Sequence, residues 1–412
     1  MTDQRDPAET RARRIIDRQL SDAGWHVCDR NAIDLVNHKG VAVREVHLGE
    51  AGRADYILFL DRRVVGVIEA KPEGQPLTGV EWQSNRYAEG LPPEFKLNAL
   101  LVNEKLPFIF EASGSETHFT NVYDPDPRAR SIFNFPQPET LSRIIRGALE
   151  EPGAPTWRSK VKSLPAFDHY DLRPASRRAI TNLEQSLAEN RYDRSLIQMA
   201  TGAGKTRMAV TESYRLLKYG GFNRILFLVD RNNLGDQTLA EFRDWTTPDD
   251  GRKFTELYNV DKLKSAGMVE SSKVVISTIQ RVNAALRGQV VEDSDDPNLD
   301  GYTPDIPVEV VYQSALPPEA FDLIIIDECH RSIYGEWRAV LEYFDAHLLG
   351  LTATPVKQTF GFFKQNLVSE YTYAESVADG VNVDFDVYRI ETKISGEGTT
   401  IEAGSIIPVM DK

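Results

Sequence analysis

The stretch of this 412-residue sequence that most suggests chemistry is VVGVIEAKPEG (64–74), an apolar run that ends in Glu69 and Lys71. Strand side chains alternate between faces, so the two charged groups point the same way. A strand that runs out into solvent would explain a bare Glu-x-Lys. The preceding stretch, RADYILFLDRR (53–63), argues for more than that, because it supplies a partner strand with its own carboxylate.

The two apolar runs predict a β-hairpin. A three-residue loop over residues 61–63 would place Leu60 opposite Val64, and the same register sets Asp55 opposite Glu69. Directly opposed residues have Cβ atoms about 5 Å apart. Two carboxylates at that distance repel each other unless a cation lies between them or one of them is protonated. The hairpin therefore predicts a cation site.

Magnesium is the cation that these groups suit. Mg²⁺ takes oxygen ligands and keeps several waters, so Asp55, Glu69 and the Ala70 carbonyl predict one corner of its coordination shell. Lys71 would hold a water or stabilise charge that develops on a phosphate. These groups would support metal-assisted chemistry on a phosphate group.

A polar pair follows on a predicted helix near residues 80–89. Gln83 and Tyr87 share one helix face at i, i+4 spacing, and such a pair taken alone is ordinary surface decoration. Five residues together resemble the PD-(D/E)xK nuclease core with its Q-x-x-x-Y addition: Asp55, Glu69, Lys71, Gln83 and Tyr87. The resemblance also places an extra acidic residue on the first helix, where this chain has Glu9.

A second chemical motif is ATGAGKT (200–206), which follows an apolar run and opens a helical pattern. Glycines in such a loop let backbone N–H groups close around phosphates at a helix N-terminus. Lys205 would reach the β- and γ-phosphates of ATP and Thr206 would hold Mg²⁺, although Met199 stands where the strict pattern has glycine. The predicted nucleotide-binding residues are Thr201, Gly202, Ala203, Gly204, Lys205 and Thr206.

The stretch LIIIDECH (323–330) complements that loop. Its apolar strand delivers Asp327 and Glu328 to the carboxyl end, where α/β sheets bind ligands. Asp327 would coordinate Mg²⁺, and Glu328 would orient or deprotonate the attacking water. An exposed strand end explains most acidic pairs of this kind, but a phosphate loop in the same predicted sheet favours ATP binding.

The order and spacing of ATGAGKT, DECH and GLTATP (350–355) resemble motifs I, II and III of superfamily 2 helicases and translocases. VDRNNL (229–234) and STIQR (277–281) resemble the segments of that family that touch the nucleic-acid backbone. The resemblance implies that the threonines of motif III couple nucleotide state to DNA grip. The residues assigned to DNA contact or coupling are Arg231, Thr278, His330, Thr352 and Thr354.

Two features depart from the superfamily 2 pattern. DLRPASRRAI (171–180) resembles the segment that brackets adenine, but Ala175 and Ser176 stand where a Tyr-Gln pair is common. Motifs IV to VI, with the arginine finger of a second motor domain, are absent from the sequence. We therefore expect one half of an ATPase cleft and no glutamine readout of the base.

The elements that must position these groups change character along the chain. From about residue 171, short apolar runs alternate with helical stretches, which predicts a mostly parallel α/β sheet. The acidic segment 291–319 predicts a surface insertion. The expected fold is α/β, with an N-terminal PD-(D/E)xK-like nuclease domain followed by a RecA-like parallel motor domain. Predicted boundaries are 1–150 for the nuclease, 151–170 for a linker, 171–380 for the motor and 381–412 for the start of a further domain.

Composition limits the remaining possibilities. With 48 Lys and Arg against 62 Asp and Glu, the net charge of −14 argues against a generally sticky nucleic-acid binder, though not against DNA held in one groove. Two cysteines cannot form a disulfide framework, which fits a reducing cytoplasm. No stretch approaches 18 apolar residues, so we expect neither a membrane span nor a secretion signal.

The order of nuclease core, linker and superfamily 2 motor resembles the restriction subunit of type I restriction-modification enzymes, either as its N-terminal portion or as a short relative. The resemblance implies a type I site-specific deoxyribonuclease, an ATP-dependent DNA translocase that cuts unmodified duplex DNA with ATP and Mg²⁺. It implies methyltransferase and specificity subunits as partners. Two alternatives remain open. One is a DNA remodeller whose degenerate nuclease fold only binds, and the other is a stand-alone nuclease-helicase in repair or phage defence.

Overall fold

The computed structural model describes residues 7–49, 52–74, 77, 84–167, 171–290, 308–331, 333 and 335–384. Within these residues the chain forms two seven-stranded sheets, one in each half. Helices pack on both sheets, so the mixed α/β architecture predicted from the sequence is confirmed. No helix in the described ranges combines the length and the apolar character that crossing a bilayer requires.

The first sheet has its strands in chain order, β1 to β7. The β1–β2 and β4–β5 pairs are parallel, and the other neighbours are antiparallel. The strands are β1 His26–Asp29, β2 Gly40–His47, β3 Arg53–Leu60, β4 Arg63–Ala70, β5 Phe108–Ala112, β6 Thr117–Asn121 and β7 Arg130–Ile132. The helices beside them are α1 Pro7–Asp22, α2 Ser84–Gly90, α3 Pro93–Lys96 and α4 Pro138–Glu150, and a 3₁₀ turn spans Arg30–Ala32.

Helix α1 packs on the first sheet along one apolar stripe. Ile16, Leu20 and Ala23 are buried, as their helical spacing predicts, whereas Ile15 lies at the edge of the stripe and is 37% exposed. Trp25, just after the helix, is buried in the same core, and its indole N–H donates to the Pro136 carbonyl at 2.9 Å. This tryptophan therefore belongs to the packed core of the first sheet.

The β3–β4 hairpin has a shorter loop than predicted. Asp61 and Arg62 both adopt left-handed backbone angles, with φ of 47° and 68°, and form a two-residue turn. Positive φ at both central positions is typical of type I′ turns, whose twist matches that of the flanking strands. Leu60 therefore pairs with Arg63, and the predicted pairing with Val64 is wrong.

A β-bulge further along the hairpin compensates for the shorter loop. The register shifts by one residue where Val65 stands unmatched, and beyond it Tyr56 pairs with Ile68. Extended by one position, this register sets Asp55 opposite Glu69, and the backbone N–H of the next residue, Ala70, donates to Asp55 Oδ2 at 2.8 Å. The expected juxtaposition of the two carboxylates thus arises from a different turn.

The second sheet is entirely parallel, in the order β10-β11-β9-β12-β13-β8-β14. This confirms the predicted parallel architecture, in which the carboxyl ends of all strands meet at one edge. The phosphate-loop strand β8 and the acidic strand β12 lie on either side of β13. The strands are β8 Arg194–Met199, β9 Ile225–Leu228, β10 Val260–Lys262, β11 Val274–Ser277, β12 Leu323–Ile326, β13 His347–Thr352 and β14 Leu367–Tyr371.

Helices cover both faces of this sheet. The longest, α6, has Pro174 in its first turn, and Asn190 caps its C-terminal end in the left-handed conformation. Both residues are common at these helix ends. The helices are α5 Trp157–Lys160, α6 Pro174–Glu189, α7 Lys205–Lys218, α8 Asn232–Asp244, α9 Phe254–Leu257, α10 Ile279–Leu286, α11 Arg338–Glu342, α12 Lys357–Phe362 and α13 Tyr373–Ala378. Short 3₁₀ turns span Val161–Ser163, Ala266–Ser271, Pro318–Ala320, Cys329–Arg331 and Gly335–Trp337.

The predicted surface insertion 291–319 needs a correction over its second part. Residues 291–307 lie outside the described residues, but Leu316 is fully buried in the core of the second sheet. Tyr312 packs on the core of the first sheet. The sequence VEVVYQSAL (308–316) is apolar enough to pack, whereas the acidic residues that suggested a surface segment precede it.

Candidate functional sites

The first candidate site lies where β3 and β4 bring two carboxylates together. Asp55 is 8% exposed, and its Oδ2 accepts a hydrogen bond from the backbone N–H of Ala70 at 2.8 Å. Glu69 accepts a hydrogen bond at Oε1 from the Tyr87 hydroxyl at 2.6 Å. Helix α2 thus fixes one carboxylate and the backbone of β4 fixes the other. Gln83 lies outside the described residues.

The electrostatics of this site favour a bound cation. Burial raises the pKa of Asp55. Burial also raises the pKa of Glu69 to about 7, and the charges of Asp55 and Glu111 add to the rise while the Tyr87 hydroxyl and the Lys71 ammonium oppose it. Because repulsion between the carboxylates contributes to the shift, a divalent cation between them would reverse that part of it.

Three charged residues beside this site were not predicted. Glu111 on β5 pairs with Glu69 in parallel register and is buried. Arg13 on α1 contacts both Asp55 and Glu45. An acidic residue inside the apolar run FIFEA (108–112) was the sequence signal for Glu111, whereas no local pattern pointed to Arg13 or Glu45.

The donor set fits Mg²⁺ with few protein ligands. Among the described residues, no group of three or more His, Cys, Asp or Glu side chains has the arrangement of a metal-binding cluster. Asp55 and Glu69 are two carboxylates, and Mg²⁺ characteristically binds one or two of these and fills its octahedron with water and phosphate oxygens. Lys71 follows the last residue of β4. Its backbone N–H donates to the Ala112 carbonyl at 2.8 Å, which anchors this residue beside the Asp55 and Glu69 carboxylates.

The second candidate site lies at the carboxyl edge of the second sheet. Between β8 and α7, Gly202 and Gly204 have φ of 76° and 95°, values that favour glycine, so the loop curls as a phosphate loop must. Arg173 donates from Nη1 to the Gly202 carbonyl at 2.9 Å. A cavity of about 620 Å³ is lined by Asp171, Leu172, Arg173, Ser176, Thr201, Gly202, Ala203, Gly204, Lys205, Thr206, Arg207, Glu241 and Glu328.

The cavity brings the predicted lysine and the acidic pair together. Lys205 Nζ lies 3.1 Å from Glu328 Oε1. Burial raises the pKa of Asp327, and the neighbouring Glu328 charge adds to the rise while Lys205 opposes it. Glu328 adopts a left-handed φ of 45°, and its backbone N–H donates to Asp327 Oδ1 at 3.0 Å. Lys205, Asp327 and Glu328 thus lie close enough together to influence one another electrostatically.

A short relay of contacts connects this site to motif III. His330 Nδ1 lies 3.6 Å from Glu328 Oε2 and 3.0 Å from Thr352 Oγ1. Thr352 Oγ1 also accepts a hydrogen bond from the Thr354 backbone N–H at 3.2 Å. The side chain that would orient water is therefore two contacts away from the threonines expected to couple to DNA.

The two predicted DNA contacts lie outside that relay. Thr278 caps α10, where its side chain accepts a 3.5 Å hydrogen bond from the Arg281 backbone N–H. Arg231 is 64% exposed and lies 3.7 Å from Asp230. The Arg231 guanidinium is therefore open to a phosphate in solution, whereas the Thr278 side chain is buried. Cys329 is fully buried within motif II.

Two family models match the chain. The model described as Type III restriction enzyme, res subunit, matches residues 169–357. The model described as Type I restriction enzyme EcoKI endonuclease subunit second domain matches residues 31–143. The first match covers the nucleotide cavity and the second covers the Asp55 and Glu69 site.

Curated relatives match most of the chain. The Type I restriction enzyme EcoKI endonuclease subunit of Escherichia coli strain K12 is 26% identical, over 96% of this chain and 37% of its own length. The EcoAI endonuclease subunit of Escherichia coli is 27% identical, over 81% of this chain and 38% of its own length. The chain therefore spans less than two fifths of the length of these relatives.

One solved structure with a local match is the Pyrococcus furiosus Hef helicase domain. It is 21% identical, with a TM-score of 0.30, and the match covers 47% of this chain and 37% of that one. A TM-score this low supports no inference about shared architecture.

Proposed function

Given homology to type I restriction enzyme endonuclease subunits over most of the chain, we propose that this protein carries the nuclease centre and the first motor domain of such a subunit. The observation that carries the proposal is that the residues predicted for each centre come together in the structure. Asp55 and Glu69 meet on the first sheet, and Lys205 meets Glu328 on the second.

The nuclease centre would act through Asp55, Glu69, Lys71 and Tyr87. Mg²⁺, held by the two carboxylates, would polarise the scissile phosphate and lower the pKa of a bound water. Tyr87 holds Glu69 in place through its 2.6 Å hydrogen bond, so the carboxylate keeps its orientation as DNA enters. Lys71 would stabilise the negative charge that develops on the phosphate as the water attacks.

The motor centre would exchange partners when ATP binds. Lys205 contacts Glu328 in the structure, and the phosphate oxygens of ATP would take over the lysine. Glu328 is then released to orient the attacking water, while Thr206 and Asp327 hold Mg²⁺. The contacts through His330 and Thr352 would couple the movement of Glu328 to the side of the domain that contacts DNA.

The remaining parts of the function follow from the relatives. We propose that the substrate is unmodified duplex DNA, that ATP hydrolysis drives translocation, and that methyltransferase and specificity subunits complete the enzyme. We place the protein in the cytoplasm, which agrees with the two buried free thiols of Cys28 and Cys329.

The proposal is tested by separating the two centres with point variants. Lys205→Ala should weaken the binding of a fluorescent ATP analogue by at least about tenfold but leave Mn²⁺ binding at the first site unchanged. Glu69→Gln should have the opposite effects. If Glu69→Gln leaves Mn²⁺ affinity unchanged, or Lys205→Ala leaves nucleotide affinity unchanged, the corresponding centre is misassigned. DNA cleavage that survives Asp55→Ala in the assembled enzyme would instead support a first domain that only binds DNA.

A further inference from the structure

A single guanidinium group bridges three carboxylates beside the proposed nuclease centre. Arg13 Nη2 donates to Glu9 Oε1 at 2.7 Å and also to Asp55 Oδ1. Its Nη1 donates to Glu45 Oε1 at 2.7 Å. The three acceptors come from α1, β3 and β2, and the arginine side chain is only 12% exposed. Arg13 therefore joins α1 to strands β2 and β3 through partly buried ion pairs.

The arginine contacts an oxygen that could bind a metal ion. Asp55 Oδ2 already accepts a hydrogen bond from the backbone N–H of Ala70, and Arg13 contacts the other oxygen, Oδ1, so neither carboxylate oxygen is without a hydrogen-bond donor. An arginine hydrogen bond and a divalent cation on one oxygen would bring two positive centres within a few ångströms of each other, where they repel strongly in a partly buried site.

The backbone around Asp55 concentrates acidic charge there. Arg44 pairs with Tyr56 and Val46 pairs with Ala54, so Glu45 lies opposite Asp55 between these two pairs. Glu45 has a φ of 55°, a left-handed conformation that interrupts the alternation of β2. Asp55 therefore has one acidic neighbour on β2 in addition to Glu69 on β4. Arg13 contacts both Asp55 and Glu45, and Arg53 lies 3.6 Å from Glu45.

We propose that Arg13 is a resident counter-cation that competes with the divalent metal ion for Asp55, so that helix α1 sets the metal affinity of the nuclease centre. Metal loading requires the guanidinium to release Asp55 Oδ1, and its hydrogen bonds to Glu9 and Glu45 keep it beside the site when it does so. The inference rests on the proposed function of Asp55 and Glu69 as metal ligands.

The test is Mn²⁺ binding by the full chain, measured by electron paramagnetic resonance of the free ion. Arg13→Met should bind Mn²⁺ about tenfold more tightly than the wild type, because a competing positive charge is removed while the carboxylates remain. A merely structural role for Arg13 would weaken binding or leave it unchanged. Asp55→Ala defines which part of the binding belongs to this site.

Arg44 provides a matched control. It also joins α1 to the sheet through two carboxylates, with 3.0 Å to Asp17 and 3.1 Å to Asp29, but it contacts no proposed metal ligand. Arg44→Met should therefore leave Mn²⁺ affinity at the wild-type value. Tighter binding in both variants would show a general charge effect and would overturn the proposal.

The remaining outcomes separate this inference from the proposed function. Equal affinity in the wild type and Arg13→Met, with loss in Asp55→Ala, overturns the competition but keeps the metal site. Absence of Mn²⁺ binding sensitive to Asp55→Ala in every variant overturns both. If Arg13→Met does not fold, Arg13→Lys keeps the charge but cannot hold three carboxylates in one fork. It should bind Mn²⁺ more tightly than the wild type, and an unchanged or weaker affinity contradicts the proposal.

Discussion

Metal binding at the first site should depend on pH with a midpoint near neutrality. Burial raises the pKa of Glu69 to about 7, so the group is largely protonated at pH 6 and largely ionised at pH 8. Only the ionised form can act as a metal ligand. Affinity for Mg²⁺ or Mn²⁺ should therefore rise as the pH increases through 7.

The size of this effect follows from the ionised fraction. With a pKa of about 7, roughly one tenth of Glu69 is ionised at pH 6 and roughly nine tenths at pH 8, so affinity should differ by about tenfold. The raised pKa of Asp55 acts in the same direction. At pH 7, metal binding should release about half a proton from Glu69.

Isothermal titration calorimetry in two buffers of different ionisation enthalpy measures both quantities. Glu69→Gln removes the titrating group, so the residual binding of the variant should lose most of the pH dependence. Wild-type affinity that stays constant between pH 6 and pH 8, with no proton release at pH 7, would refute the assignment of Glu69 as a buried ligand of raised pKa.

Two further predictions concern the second sheet and its contact with the first. Lys205→Ala should weaken Mg·ATP binding by at least about tenfold, because the proposed role of the lysine is to contact the phosphates of ATP. Lys218→Ala, at the far end of α7, should leave ATP affinity unchanged. Equal effects of the two variants in fluorescence titrations would contradict the proposed role of Lys205. Arg130→Ala removes a bidentate pair with Asp345 at 2.8 and 2.9 Å between the two sheet units, so it should cost about 2 kcal/mol in urea unfolding. Lys162→Ala, which breaks an exposed 3.2 Å pair with Asp126, should cost less than about 1 kcal/mol, and matching costs would show that the inter-unit pair is not specially stabilising.

The sequence predicted the second sheet well because its strands are nearly continuous apolar runs. A parallel strand that is buried on both faces is apolar at nearly every position, so its sequence is easy to recognise. Its motif residues follow at the carboxyl end. The edge strands β10 and β14 show no such apolar run, since VDK and LVSEY carry charged residues and are short. Partial exposure at a sheet edge removes the apolar pattern on which such a prediction depends.

The hairpin shows how a correct juxtaposition can rest on an incorrect local geometry. The two-residue turn at Asp61 and Arg62 shifts the register by one position, and the bulge at Val65 shifts it back. The turn has no clear sequence signal, because type I′ turns usually carry Asn-Gly or another glycine pair and this turn has Asp61 and Arg62. The bulge has no clear sequence signal either. A hydrophobic pattern with period two specifies faces well, but it does not reveal a turn and a bulge that compensate for each other.

Arg13 could not have been predicted from the sequence. It lies 42 positions before Asp55, and ion pairs between distant elements depend on helix placement that no local pattern encodes. Glu111 has a clearer sequence signal, because burying a carboxylate within an apolar strand costs free energy unless the group is paired. A systematic search for charged residues inside predicted core strands would have found it.

The most direct test of the proposed function is the nicking of supercoiled plasmid in Mn²⁺ by the wild-type chain, Glu69→Gln and the Arg44→Met control. The proposed metal site predicts nicking by the wild type and the control and none by Glu69→Gln, because the variant keeps the shape of the side chain but not the charge that binds the cation. Nicking by Glu69→Gln at the wild-type rate would show that DNA cleavage does not depend on this carboxylate and would contradict the proposed nuclease centre.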